Sequence, residues 1–158
     1  MDELADAAAQ LATDAKGDND RKVFFAGVSL SGAVAQRIAL RHGDVFDRVA
    51  MVCSSPKFGT PEAWQERAAY VSDAGTPAMV ERSAKTWFAP GFIERQPSEA
   101  TALLHSLQNA DRFSYAHASL ALADFDMTED LANVATPLLA LAGEKDPVSP
   151  PEHARTVA

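Results

Sequence analysis

Ser29 stands in the run Gly27-Val28-Ser29-Leu30-Ser31-Gly32, after an apolar stretch, Val23-Phe24-Phe25-Ala26, and before Ala33 to Leu40, whose apolar residues recur at helical spacing. The order reads as strand, sharp turn, helix. A serine at the apex of such a turn is forced into a strained backbone conformation that lifts its hydroxyl clear of the sheet, where it can attack a carbonyl carbon. Small residues are needed two places before and two after it, since larger side chains would strike the neighbouring strand and helix. Gly27 and Ser31 fill those places. Ser31 stands where glycine is usual and Gly32 follows, so the match to G-x-S-x-G is near. The helix opening after Ser29 aims backbone N–H groups at negative charge forming on a bound carbonyl, and the Leu30 N–H is the candidate oxyanion donor. Ordinary βα turns and phosphate-binding loops also collect glycine and serine. Neither Gly-Lys-Ser/Thr nor G-x-G-x-x-G follows the strand, which favours the nucleophile.

A serine needs a base, usually histidine, oriented by a carboxylate. The apolar run Leu138-Leu139-Ala140-Leu141-Ala142 leads through Gly143-Glu144-Lys145 to Asp146, at the carboxyl end of a strand, where open parallel sheets gather catalytic groups. The chain order serine, acid, histidine places the histidine after one more strand beyond the helix that begins at Pro151. None of the four histidines fits that place. His42 is about 20 Å along the helix from Ser29. His105 and His117 fall on helices and read as exposed or capping, and His153 points away from the turn. The histidine is therefore expected beyond Ala158, and the second oxyanion donor before Val23, as in a chain taken from the middle of a longer protein.

The elements that must position these groups follow from periodicity. Leu4, Ala7, Ala8, Leu11, Ala12 and Ala15 predict a helix over 2–16 stopped by Gly17, with a turn at 18–20. Val23 to Ala26, without polar alternation, predicts a central strand covered on both faces, and Val49 to Cys53 a second one. From Pro56 to about Asp126 helix signals take over. Thr60-Pro61 and Thr76-Pro77 each pair an N-cap with proline at the first helical position. Four helices are expected there, a lid placed over a sheet. Trp64, Trp87, Phe88, Phe92 and Phe113 read chiefly as lid core, with Trp87 and Phe88 the candidates for a substrate-pocket lining. A short helix at 128–134 precedes the third strand. The expected division is 1–55 core with the serine turn, 56–126 helical lid, and 127–158 core with the acid loop.

Composition narrows the classes. With 47% apolar residues among 158, disorder is excluded, and a net charge of -8 offers no basic stripe for nucleic acid. A lone cysteine, Cys53, cannot form an internal disulfide and reads as a small buried apolar residue. No signal segment or run of membrane-spanning length is present, so a cytoplasmic location is expected.

These stretches resemble the α/β-hydrolase fold and, within it, the 3-oxoadipate enol-lactonase family. The likeness rests on the serine turn with Val34-Ala35-Gln36 and Ala39-Leu40-Arg41-His42, on Gly59-Thr60-Pro61-Glu62-Ala63-Trp64, on Trp87-Phe88 with Phe92, on Tyr115-Ala116 with Ala121 and 124–126, and on 143–146 with Pro150-Pro151-Glu152-His153-Ala154. The resemblance implies a parallel-sheet core with a helical lid. It also implies hydrolysis of a small-molecule lactone, 3-oxoadipate enol-lactone, to 3-oxoadipate in the β-ketoadipate pathway of aromatic-compound degradation, without metal or cofactor. Ser29 would attack the lactone carbonyl, Leu30 N–H would hold the oxyanion, and Asp146 would orient the histidine. A carboxylate-bearing lactone calls for a basic residue, for which Arg82, Lys85 and Arg112 are candidates. The alternatives are a general esterase or peroxidase-like member of the fold, and a non-catalytic module using its lid for binding.

Overall fold

In the computed structural model, which describes residues 1–17 and 19–158, three parallel strands stand in the order β1 (Phe24–Val28), β2 (Arg48–Val52), β3 (Leu138–Leu141). Asp18, within the turn expected at 18–20, lies outside the described residues. The register brings Val28, Val52 and Leu141 into one row, so the loops carrying chemistry leave from a single sheet edge. The expectation of a central first strand is corrected here. β2 is central, and β1 has one neighbour among the described residues.

One unit of the chain comprises 1–58, 125–144 and 148–158. Its core forms where α2 (Leu30–Arg41) lies on the sheet, with Val34, Ala35, Ile38 and Ala39 buried against Val49. Phe25 meets Phe46 edge to face, ring centroids 5.9 Å apart. The opposite sheet face is open. Phe24 is 60% exposed, Val28 62% and Leu139 56%, so β1 is covered on one face and not on two. The absence of polar alternation marked a face that no element among the described residues covers.

Helix α1 (Asp2–Lys16) ends at Gly17, whose φ of 55° is open to glycine without strain. Its buried stripe is Ala5 and Ala9, while Leu4 and Leu11 face solvent at 49% and 71% exposure, a rotation from the expected stripe. Two causes favour it. Alanines let α1 approach α2 closely, and Asp2 and Asp6 then reach Arg37, Arg41 and His42 at 2.5–3.4 Å.

The chain leaves this unit after Phe58 and returns at Phe125. The two passages are pinned together: Lys57 bridges Asp126 at 2.8 Å, Met127 N–H donates to the Pro56 carbonyl at 2.8 Å, and the rings of Phe58 and Phe125 stand 6.1 Å apart. Between them, 59–124 with 145–147 form a helical unit. It contains α3 (Pro61–Ala74), α4 (Val80–Trp87), α5 (Phe92–Arg95), α6 (Pro97–Gln108) and α7 (Arg112–Ala123). The Thr60 hydroxyl caps α3 as expected. Thr76 is not a cap: buried in a short 3₁₀ turn, it gives its hydroxyl to the carbonyls of Gln108, the last residue of α6, and of Ala110 just beyond it. The one-turn α5 adds a fifth helix to the expected four. The short helix expected at 128–134 is a 3₁₀ turn, Leu131–Asn133, and α8 (Pro151–Val157) follows β3.

Candidate active site

Ser29 sits between β1 and α2 with φ 55° and ψ −115°, a conformation that L-residues rarely adopt. Its side chain is exposed. Closeness of strand and helix enforces the turn: a Cβ on Gly27 would lie 2.0 Å from the Ser31 carbonyl oxygen, and one on Gly32 would lie 2.4 Å from the Ser54 Cβ. Ser31 itself is exposed, which is why a side chain is tolerated where glycine is usual. Leu30 opens α2, so its N–H is among the four that no helical carbonyl can take. Ser29 and the Leu30 N–H therefore stand side by side at the start of α2.

Cys53 follows Val52 outside β2, half-buried and with φ 45°, and its N–H donates to the Leu141 carbonyl at 2.8 Å. It is a turn residue rather than a buried strand residue. His42 closes α2 against Asp6. His153 Nδ1 lies 2.6 Å from the Ser55 hydroxyl, so neither histidine is directed at Ser29. His105 and His117 are exposed on α6 and α7.

Asp146 is half-buried in the loop after β3, in the short segment that belongs with the helical unit. That loop leaves β3 from the sheet edge at which Ser29 follows β1. In the helical unit Trp87 and Phe88 do come together: their rings are edge to face at 6.5 Å, and Phe88 stacks on Phe92 at 5.3 Å. Trp87 is 48% exposed and Phe113 58%, so neither is core.

Among the basic candidates, Lys85 pairs with Glu81 and Arg112 gives its guanidinium to the carbonyls of Ser72 and Asp73. The residue the sequence reading missed is Arg67. Its guanidinium lies 4.2 Å over the Trp64 ring, with the Tyr115 side chain near it. Burial holds it below the ordinary arginine value and Arg82 adds repulsion, with no carboxylate contributing. The signal was the spacing Trp64-x-x-Arg67, one turn apart on a single helix face.

Among the described residues no group of three histidine, cysteine or acidic side chains could hold a metal, and no helix is long and apolar enough to cross a membrane.

The model of the serine aminopeptidase S33 family matches residues 1–158. The chain belongs to that family of α/β-hydrolases. It is 34% identical to 3-oxoadipate enol-lactonase 2 of Acinetobacter baylyi, over 79% of this chain and 47% of that protein. It is 30% identical to a pimeloyl-[acyl-carrier protein] methyl ester esterase of Vibrio atlanticus, over 94% of this chain and 60% of that one. The solved enol-lactonase of Burkholderia xenovorans superimposes with a TM-score of 0.83 at 27% identity, covering 94% of this chain and 59% of that structure. The S33-family chain thus spans about half of the first curated relative's length.

Proposed function

We propose that this α/β-hydrolase opens a carboxylic ester with Ser29 as nucleophile, and that the ester is 3-oxoadipate enol-lactone. The observation that carries the reading is the exposed Ser29 held at φ 55° between β1 and α2. The Ser29 Oγ adds to the lactone carbonyl while a histidine oriented by Asp146 takes its proton. The Leu30 N–H stabilises the resulting oxyanion. Collapse breaks the ring C–O bond, leaving an acyl-enzyme whose enol end is protonated and tautomerises to the ketone. Water, activated by the same base, then releases 3-oxoadipate and restores Ser29.

The lactone is supported by 34% identity to an enol-lactonase and by Arg67, a half-buried guanidinium to which no carboxylate among the described residues contributes, suited to a substrate that brings its own carboxylate. Trp87 and Phe88 supply apolar lining. The similarity to the methyl ester esterase over 94% of the chain favours a second reading, a simple ester of a longer acid.

The test uses the protein at its full natural length, assayed against the enol-lactone and against simple methyl esters. Faster turnover of the lactone is expected, and Ser29→Ala is to lose at least about a thousandfold in kcat. Faster turnover of methyl esters would move the assignment to the second reading. A loss under tenfold in Ser29→Ala would remove the nucleophile.

A further inference from the structure

The Ser29 backbone is held by more than its own helix. Its N–H donates to the Val52 carbonyl at 2.9 Å, and its carbonyl accepts from the N–H groups of Gly32 and Ala33 at 2.8 and 3.1 Å. A third donor to that carbonyl is a side chain, the Ser54 hydroxyl, at 2.8 Å. Ser54 is 1% exposed. It comes this close because Gly32 has no Cβ; one there would lie 2.7 Å from the Ser54 Oγ. Ser54 is itself fixed. The carbonyl of its neighbour Ser55 accepts from Gln36 Nε2 at 2.9 Å.

The Ser29 carbonyl and the Leu30 N–H belong to one rigid, trans peptide plane and point in opposite directions. Whatever holds the carbonyl aims the N–H. A donor on the carbonyl also polarises the amide and strengthens its N–H as a donor.

We infer that Ser54 is a positioning residue for the reaction: by donating from a buried site to the Ser29 carbonyl it fixes the peptide that joins the nucleophile to the oxyanion donor. The inference rests on Ser29 being the nucleophile. Strained conformations persist only where their surroundings over-determine them, and Ser54 is the side chain that does so here.

The experiment compares wild type, Ser54→Ala, Ser54→Cys, Ser55→Ala and Ser29→Ala in the protein at full natural length. A p-nitrophenyl phosphonate counts reactive sites, and kcat and KM are measured per site on the ester turned over fastest. In Ser54→Ala the count per folded molecule is to stay at wild type, with KM within about twofold and kcat per site down about tenfold or more, because the lost contact acts in the transition state. Ser54→Cys keeps the volume with a weak donor and is to lose kcat in the same direction; it carries the test should the alanine variant not fold. Ser55→Ala is to keep kcat per site. Unchanged kcat per site in Ser54→Ala and Ser54→Cys, or an equal loss in Ser55→Ala, would overturn the inference alone. Retained turnover and labelling in Ser29→Ala would overturn the nucleophile assignment and this inference with it.

Discussion

Ser29 is strained, and its neighbours are small because the strain needs room. Two glycines separate the sources of that need. At Gly27 the backbone of α2 occupies the place a side chain would take, 2.0 Å from an ideal Cβ. Backbone cannot swing aside, so Gly27→Ala is expected to cost about 3 kcal/mol or more by driving the helix start off the strand. At Gly17 the same added carbon would meet nothing, and only the positive φ is at issue. Gly17→Ala should therefore cost less than Gly27→Ala, about 1–2 kcal/mol. Urea unfolding of both variants checks the contrast; equal losses would mean that crowding at Gly27 is not what shapes the turn.

At the scale of elements, several ties between distant stretches are ionic or polar. Asp126 illustrates how such a tie responds to acid. Its carboxyl is pulled to about 2 by Lys57 first and then by the hydroxyl and N–H of Thr128. Its folded value lies below its unfolded one, so the bond stabilises above pH 3.8 and the contribution is lost as pH falls toward about 2. Solvent at this half-exposed pair keeps the gain small. Asp126→Asn should lower the urea midpoint at pH 7 and leave it nearly unchanged at pH 2. An equal deficit at both would assign the effect to packing. These ties also mark what the chain made legible. The sequence β1, serine turn, α2 was readable because strand, breaker and helix signals are local. The face of α1 was not, because alanines give little contrast with leucines in a pattern and the choice is made by Asp2 and Asp6 reaching residues 35 or more positions away. Thr76 looked like a cap because the carbonyls it serves lie at the end of another helix and just past it. Ser54 and Ser55 carry no signal of their own, because the groups they bond stand 19 or more positions away. Strand order was not readable either, since three similar apolar runs carry no label saying which stands between the others.

At the scale of the whole molecule, the open sheet face dominates. Phe24, Val28, Leu139 and Leu141 stand on it in alternating register, and Phe24 and Leu139 line a depression of about 490 Å³. Apolar surface of this kind drives association and dye binding. The 158-residue chain alone should bind an anilinonaphthalene dye in the folded state and sediment with a concentration-dependent mass, and Phe24→Lys with Leu139→Glu should reduce both. A monodisperse, dye-silent chain would mean that this face is covered in solution. The pinned passage at Lys57 and Asp126 carries a different consequence. It works like the stem of a stem-loop: the ends of the intervening segment are joined by residues of the sheet-bearing unit, whatever lies between them. Doubling a loop closed in this way costs only about 0.6 kcal/mol. The stretch from Gly59 to Asp124 is therefore a cassette, and a lineage can exchange it for another of different length or chemistry without rebuilding the serine turn.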